Sequence, residues 1–345
     1  MEPSDYIPAY LERVYLSSHE GLTDAARALL HNQVRSQPER YAADAHATSL
    51  LAYAAERSRL IKSLDSMENL DDDEFERESN ALFDRERAEM YRIWNADNLC
   101  VDARLLDILL ADAPLDDCLN DLLKLEGEVR SYLEGRGSGF DTSAEGYWDA
   151  RSLGAAGLTC EEATVSDPEV VGWLHTVEAI SQACLSTGRY RAAANYARIV
   201  MGARGYRSAG AGAAGTLLLA LARLEDEDGF FSAARDAGAG IEDTPWFLLG
   251  RTLLMYKLGR VKNARRALRD FSARCEGGAF FLLNPTYQTP YLPVRPKPRD
   301  PWDASHQAVW EADGVIVDTP DFVTWAASVD GVERDSEDFA LRYGF

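Results

Sequence analysis

Leu185–Val200 reads LSTGRYRAAANYARIV, Leu224–Ala239 reads LEDEDGFFSAARDAGA, and Tyr256–Phe271 reads YKLGRVKNARRALRDF. Each stretch carries a glycine, Gly188, Gly229 or Gly259, where a turn is expected. An apolar residue follows two positions later (Tyr190, Phe231, Val261), and an alanine three after that (Ala193, Ala234, Ala264). The glycines stand 41 and 30 residues apart, the scale of a repeating two-helix unit. Seven residues before each glycine lies another small residue: Ser181, Ala222 and Thr252. Two helices cross closely only where small side chains let the backbones approach. A glycine ends the first helix of each pair, where a left-handed residue costs least. Tyr190, Phe231 and Val261 would then plug the groove between the two helices.

On these residues the chain resembles the tetratricopeptide repeat family over roughly 168–275. The resemblance implies an all-α fold, a right-handed superhelical array of antiparallel helix pairs. It also implies a groove that takes a peptide or helix of a partner. Two departures are visible: no proline closes each second helix, and the middle unit carries an acidic insert, Glu225 to Asp228. The phrase WNADNLCVDARLLDIL, with Asn98 and Ala103, resembles a junction between such units and would extend the array toward the N-terminus.

The remainder reads as four segments. Residues 1–134 are an acidic helical region. Leu22-Thr23 resembles a staple and cap for a helix through about Val34. Apolar residues from Tyr41 to Leu64 recur at helical spacing. Asp71 to Glu74 starts a further helix, where carboxylates favour the positive end of the dipole. Residues 135–167, opening with GRGSGFDTSAEG, form a glycine-rich linker or hinge. The repeats occupy 168–275. Residues 276–345 are a proline- and aromatic-rich cap, with six prolines between Pro285 and Pro301 that preclude a helix there. That segment is expected to pack back on the array. LPVRPKP within it is close to a PxxP ligand. Two short helices should follow, Pro301 to Ala312 and Pro320 to Ser328 behind a Thr319 cap, packed by Trp310 and Trp325.

Charge is unevenly spread in this chain of 345 residues and net charge −21. Residues 1–150 hold 32 acids and 15 bases, and residues 151–345 hold 25 and 21. Phosphates would be repelled by the first half, which argues against nucleic acid as a partner. The longest apolar run, Thr216 to Leu221, falls far short of the ~20 residues of a membrane span. The acidic start MEPSDYIPAYLERV lacks the apolar core of an export signal. Five dispersed cysteines suit free thiols. A cytoplasmic protein is expected, with no membrane partner, as a monomer or weak homo-oligomer.

Three motifs bear on chemistry. Gly210 to Gly215 matches GxGxxG, but no strand precedes it, so close helix packing is the better reading. His175 and Glu178 share a helix face without a second pair to complete a metal site; a hydrogen-bonded structural histidine is expected. No nucleophile elbow, Walker loop or HExxH is present. No catalytic residue, metal or cofactor is therefore expected. One patch stands out: Arg251, Lys257, Arg260, Lys262, Arg265, Arg266, Arg269 and Arg274 face a single acid, Asp270. Lys262, Arg265, Arg266 and Arg269 form two cationic stripes at four-residue spacing. They are the candidate partner-binding residues, suited to an acidic protein or peptide. The function expected is a non-enzymatic scaffold or adaptor. The alternative is an enzyme or small-molecule sensor with a site between the acidic half and the repeats.

Overall fold

A computed structural model describes residues 1–19, 21–67, 70–137, 139–151, 158–285 and 299–345. Among the described residues every regular element is helical, so the chain is all-α. It divides into two compact units. The first comprises described residues of 1–179 and 202–209; the second comprises those of 180–201, 210–285 and 299–345. The PxxP-like LPVRPKP lies outside the described residues, as do Tyr287 and Tyr291.

The first unit contains α1 (Pro3–Ser18), α2 (Asp24–Ser36), α3 (Ala45–Ser66), α4 (Asp72–Ala96), α5 (Val101–Leu109), α6 (Leu115–Gly135), α7 (Tyr147–Ala150), α8 (Cys160–Val165) and the start of α9 (Pro168–Ser186). Caps explain several starts. The Thr23 hydroxyl accepts from the Ala26 N–H at 3.3 Å, and the Asp71 carboxylate accepts from Glu74 N–H at 2.8 Å. Each satisfies a donor that the first helical turn leaves orphaned. The segment expected as a linker supplies α7 and α8 to this unit. Helix α5 is buried on nearly every side, and α9 crosses it at Gly172. A methyl group there would stand 2.6 Å from Val101 Cβ, so only hydrogen fits.

His175 and Glu178, which looked like half a metal site, are each held by hydrogen bonds. His175 Nδ1 lies 2.8 Å from Asp102 Oδ1, and Tyr6 donates its hydroxyl to Asp102 Oδ2 at 2.6 Å. Tyr206 donates to Glu178 at 2.6 Å. Among the described residues no group of three or more potential ligands could hold a metal ion. Burial alone would raise the Asp102 carboxyl. The facing His175, with hydrogen bonds from His175 and Tyr6, instead holds it below the usual carboxylate range.

The second unit contains α10 (Tyr190–Gly202, most of it), α11 (Gly212–Arg223), α12 (Glu227–Ala237), α13 (Pro245–Lys257), α14 (Val261–Arg274), α15 (Gly278–Leu283), α16 (Asp303–Glu311), α17 (Asp313–Val317), α18 (Phe322–Ala327) and α19 (Val332–Tyr343). Helix α11 packs on α12 and α13, and α13 on α14. One turn geometry ends α9, α11 and α13, and ends α19 as well. Gly188, Glu225 and Gly259 take left-handed φ values of 74°, 61° and 69°. The residue after each donates its N–H to the carbonyl five back: Arg189 to Cys184 at 2.7 Å, Asp226 to Leu221 at 3.1 Å, Arg260 to Met255 at 3.0 Å. This is the helix-ending bond of the Schellman motif.

The middle turn corrects the sequence reading. Its left-handed residue is Glu225, four positions before Gly229, so Glu225 to Asp228 is no insert. The three turns stand 37 and 34 residues apart, more regular than the glycines. Gly229 lies inside α12, where its N–H donates to Asp226 Oδ1 at 2.9 Å; a Cβ would sit 2.3 Å from the other carboxylate oxygen. Glycine is thus present because the capping carboxylate occupies its side-chain space. With the register corrected, Phe230 occupies the place of Ala193 and Ala264. Phe230 is fully buried, Phe231 only partly so, and Val261 is 40 % exposed. Neither Phe231 nor Val261 is therefore the groove plug expected. The bulk of Phe230 is accommodated by Gly250 on α13, where a Cβ would meet the ring at 3.1 Å.

Ser181, Ala222 and Thr252 are all wholly buried, as expected of contact positions. Gly215 of the GxGxxG match packs on the Trp246 indole, 2.6 Å from where a Cβ would stand, the close packing expected of it. Past residue 299 there are four helices, not two. The longest, α19, is amphipathic: Val332, Ser336 and Phe339 face inward, a stripe at three- to four-residue spacing. It packs on α15, where Phe339 stands 5.2 Å from the Phe280 ring and 5.6 Å from that of Phe281. Thr319 does not cap α18; its hydroxyl donates back to Val315 O at 2.7 Å, and Asp321 precedes the helix. Trp325 packs on Tyr256 of α13 with ring centroids 4.7 Å apart.

Candidate functional site: an uncompensated basic face on α14

Helix α14 buries Ala264, Ala267, Leu268 and Phe271. These positions, three and four apart, fix one face inward. Lys262, Arg265, Arg266 and Arg269 are consequently all exposed. The turn at Gly259 starts the helix, so the chain end that sets the register also aims the cations outward.

The eight basic residues of the sequence patch separate into two sets. Arg251 pairs with Asp270 at 2.6 Å, Lys257 with Glu225 at 3.7 Å, Arg260 with Glu227, and Arg274 with Asp243. Arg251 thereby takes the one acid of α14. Arg269 reaches Asp330 at 3.8 Å, a carboxylate 97 % exposed, and so strongly screened. Among the described residues no carboxylate lies within ion-pair distance of Lys262, Arg265 or Arg266. The structure thus brings together the four predicted site residues and removes the other four into pairs.

Like charges spaced four apart, Arg265 with Arg269 and Lys262 with Arg266, each cost a helix about 0.2–0.5 kcal/mol. Lys262 adds to this by sitting in the first turn, at the positive end of the dipole, with no acid nearby in that turn. The face therefore works against the helix that carries it. Chemically it presents three exposed cationic heads, two of them planar guanidinium forks that bind carboxylates bidentately.

A second concentration of charge, invisible in the sequence reading, surrounds Asp167 at the start of α9. It draws on Arg136 and Arg151, 31 and 16 residues upstream. The only local signal is the phrase Ser-Asp-Pro-Glu, residues 166–169, which marks a helix start. The partners of Asp167 come from the residue after α6 and the residue after α7, which no local pattern encodes.

Among the described residues no helix is long and apolar enough to cross a membrane. All five cysteines are free thiols. Comparison with known proteins finds no matching family model, no matching curated protein and no matching solved structure.

Proposed function

We propose that the chain is a non-enzymatic, tetratricopeptide-like interaction protein of the cytoplasm that holds an acidic segment of a partner protein on the α14 face. The observation that carries this reading is the trio Lys262, Arg265 and Arg266: exposed, on one helix face, with no acid in reach among the described residues while four neighbouring cations are paired. Solvated helix faces commonly interleave the two signs; this one does not. A protein of net charge −21 repels acidic molecules over most of its surface. A local patch of reversed sign therefore decides where such a partner can land. The three recurrent turns at 37- and 34-residue spacing support the repeat reading, since such arrays present long surfaces for partners.

The test is binding of a short fluorescein-labelled Glu/Asp-rich peptide, followed by anisotropy at low salt, with wild type and Arg265→Glu/Arg266→Glu. The double reversal should weaken binding at least tenfold, about 1.4 kcal/mol, and wild-type affinity should fall as salt is raised. Arg274→Ala, which removes a paired cation, should leave binding within about twofold. The reversal variant should fold, because it relieves repulsion within α14. Equal binding by wild type and the double reversal would remove the α14 face from the function.

A further inference from the structure

The first unit carries a groove of about 520 Å³ between α1, the end of α2, the short turn Pro38–Tyr41 and α3. Helix α3 turns two stripes toward two surroundings. Leu50, Tyr53, Leu60 and Leu64 are buried in the core of the unit. One residue round from them, Leu51, Ala54 and Ile61 are only partly covered and line the groove. The outward side of a surface helix is ordinarily polar; this stripe is apolar. Pro3, Ile7 and Pro8 of α1 line the groove with it. Pro3, Pro8 and Pro38 have no backbone N–H, so the wall they form offers carbon to an occupant.

Cations stand at the two ends. Helix α1 runs antiparallel to α3, since Arg57 pairs with Glu2 and Tyr10 donates to Asp44 at 3.3 Å. Helix α2 folds back on α1, with His31 Nδ1 2.9 Å from Glu12. Arg35, one turn past His31, therefore reaches the groove beside Pro8 and Pro38, and Lys62, past Arg57, reaches it at the Glu2 end. Glu2, the carboxylate among the lining residues, is committed: Arg57 donates its Nη2 to Oε1 at 3.1 Å and its Nη1 to Oε2. Arg35 donates its Nε to His31 at 3.1 Å. Among the described residues no carboxylate lies within ion-pair distance of Arg35 or Lys62, and both are exposed. The groove thus has an apolar floor and an uncompensated positive charge at either end, in a stretch of chain whose acids far outnumber its bases.

We propose that this groove binds a straight-chain aliphatic dicarboxylate, its methylenes on Leu51, Ala54 and Ile61 and its carboxylates at Arg35 and Lys62. The site is separate from the α14 face and stands without it. Leu51 and Ile61 lie about 15 Å apart along the helix, the span of an extended diacid of about 12 carbons. The groove volume falls in the range of small-molecule sites. A helix of a partner protein, about 10–12 Å across with its side chains, would leave most of its bulk outside. Arg35 offers a carboxylate its planar fork, and Lys62 offers a point charge. A monoacid would leave one cation unpartnered, and a short diacid would reach one end only and leave the floor wet.

Isothermal titration calorimetry of the full chain with dodecanedioate tests the assignment, each variant first checked for its fold by circular dichroism. Wild type should bind saturably, and Arg35→Glu and Lys62→Glu should each weaken binding about tenfold or more. Ala54→Phe, which fills the floor without altering charge, should weaken it as much. Butanedioate, with both charges on a short chain, should give no detectable binding. Dodecanoate, with one charge, should bind roughly fivefold more weakly than the diacid. Arg265→Glu/Arg266→Glu should leave diacid binding within about twofold, so failure of this site and failure of the α14 reading are told apart. No saturable binding of dodecanedioate by wild type overturns the proposal, as does wild-type affinity in both charge-reversal variants. Dodecanoate bound as tightly as the diacid overturns recognition at two ends. A Glu-flanked amphipathic helical peptide held more tightly than the diacid through Arg35 and Lys62 overturns the small-molecule assignment.

Discussion

Glu225 holds a conformation that L-residues avoid. At φ 61° its Cβ crowds the neighbouring carbonyl, a cost of roughly 1–2 kcal/mol that glycine escapes. Gly188 and Gly259 do the same task in the flanking turns without that cost. Glu225→Gly should therefore stabilise the protein by about 0.5–1 kcal/mol, the remainder being offset by the greater freedom of an unfolded glycine. The Glu225–Lys257 contact, at 3.7 Å and half exposed, is worth too little to reverse the sign. A urea midpoint unchanged or lowered by this substitution would mean that the turn is not strained. The same residue explains why the middle turn was misplaced from sequence. Glycine marks left-handed turns so often that Gly229, placed beside a glutamate-rich stretch, drew the turn toward itself. In fact it serves the Asp226 cap.

At the scale of elements, legibility followed how local the cause was. Helices α2 and α4 were readable because Thr23 and Asp71 cap them from the adjacent residue. The basic face of α14 was readable because a period of three to four residues separates cations from the buried alanines and leucine. Helix α19 stands beyond the last helix expected, at Ser328, although its amphipathic pattern is local. Helix α1 opens on Pro3, which occupies the first helical position, where the missing N–H costs nothing. The crossing of α5 and α9 shows a cause that is not local at all. Gly172 sits inside a helix, where alanine ordinarily adds up to about 1 kcal/mol. Here Val101 Cβ and Cγ1 stand 2.6 and 3.0 Å from the space a methyl would fill. Gly172→Ala should destabilise by about 1–3 kcal/mol through overpacking, read as a lower urea midpoint with an unchanged slope. A rise would mean that the two helices can separate cheaply.

At the scale of the whole molecule, the buried carboxyls set the pH at which the fold is firmest. Asp102 and Asp167 are held below their unfolded values by partners that overcome burial. Their contribution is present above the ordinary aspartate range and is lost as pH falls through it. Glu169 carries the opposite sign: raised by burial and by Asp167 to about 7, it stabilises fully below the ordinary glutamate range. That contribution drains away as pH rises through neutrality. Glu86, buried and raised for the same first reason, adds to the alkaline loss. Self-repulsion acts in the same direction, since a chain of net charge −21 and isoelectric point about 4.7 gains further negative charge as pH rises. The sum is a stability maximum in acidic solution, near the ordinary carboxylate range at about pH 4–5, with loss on both flanks. From there to about pH 8.5 the wild type should lose about 1–3 kcal/mol, several degrees in the thermal midpoint. Near-UV circular dichroism follows the tertiary packing through that transition. Glu169→Gln should remove most of the alkaline flank and leave the acid flank in place. Asp102→Asn should do the reverse, lowering stability at neutral pH and flattening the acid side, because His175 and Tyr6 lose an ionised partner. If both variants kept the wild-type curve, the pH dependence would belong to the diffuse surface charge and not to these buried groups.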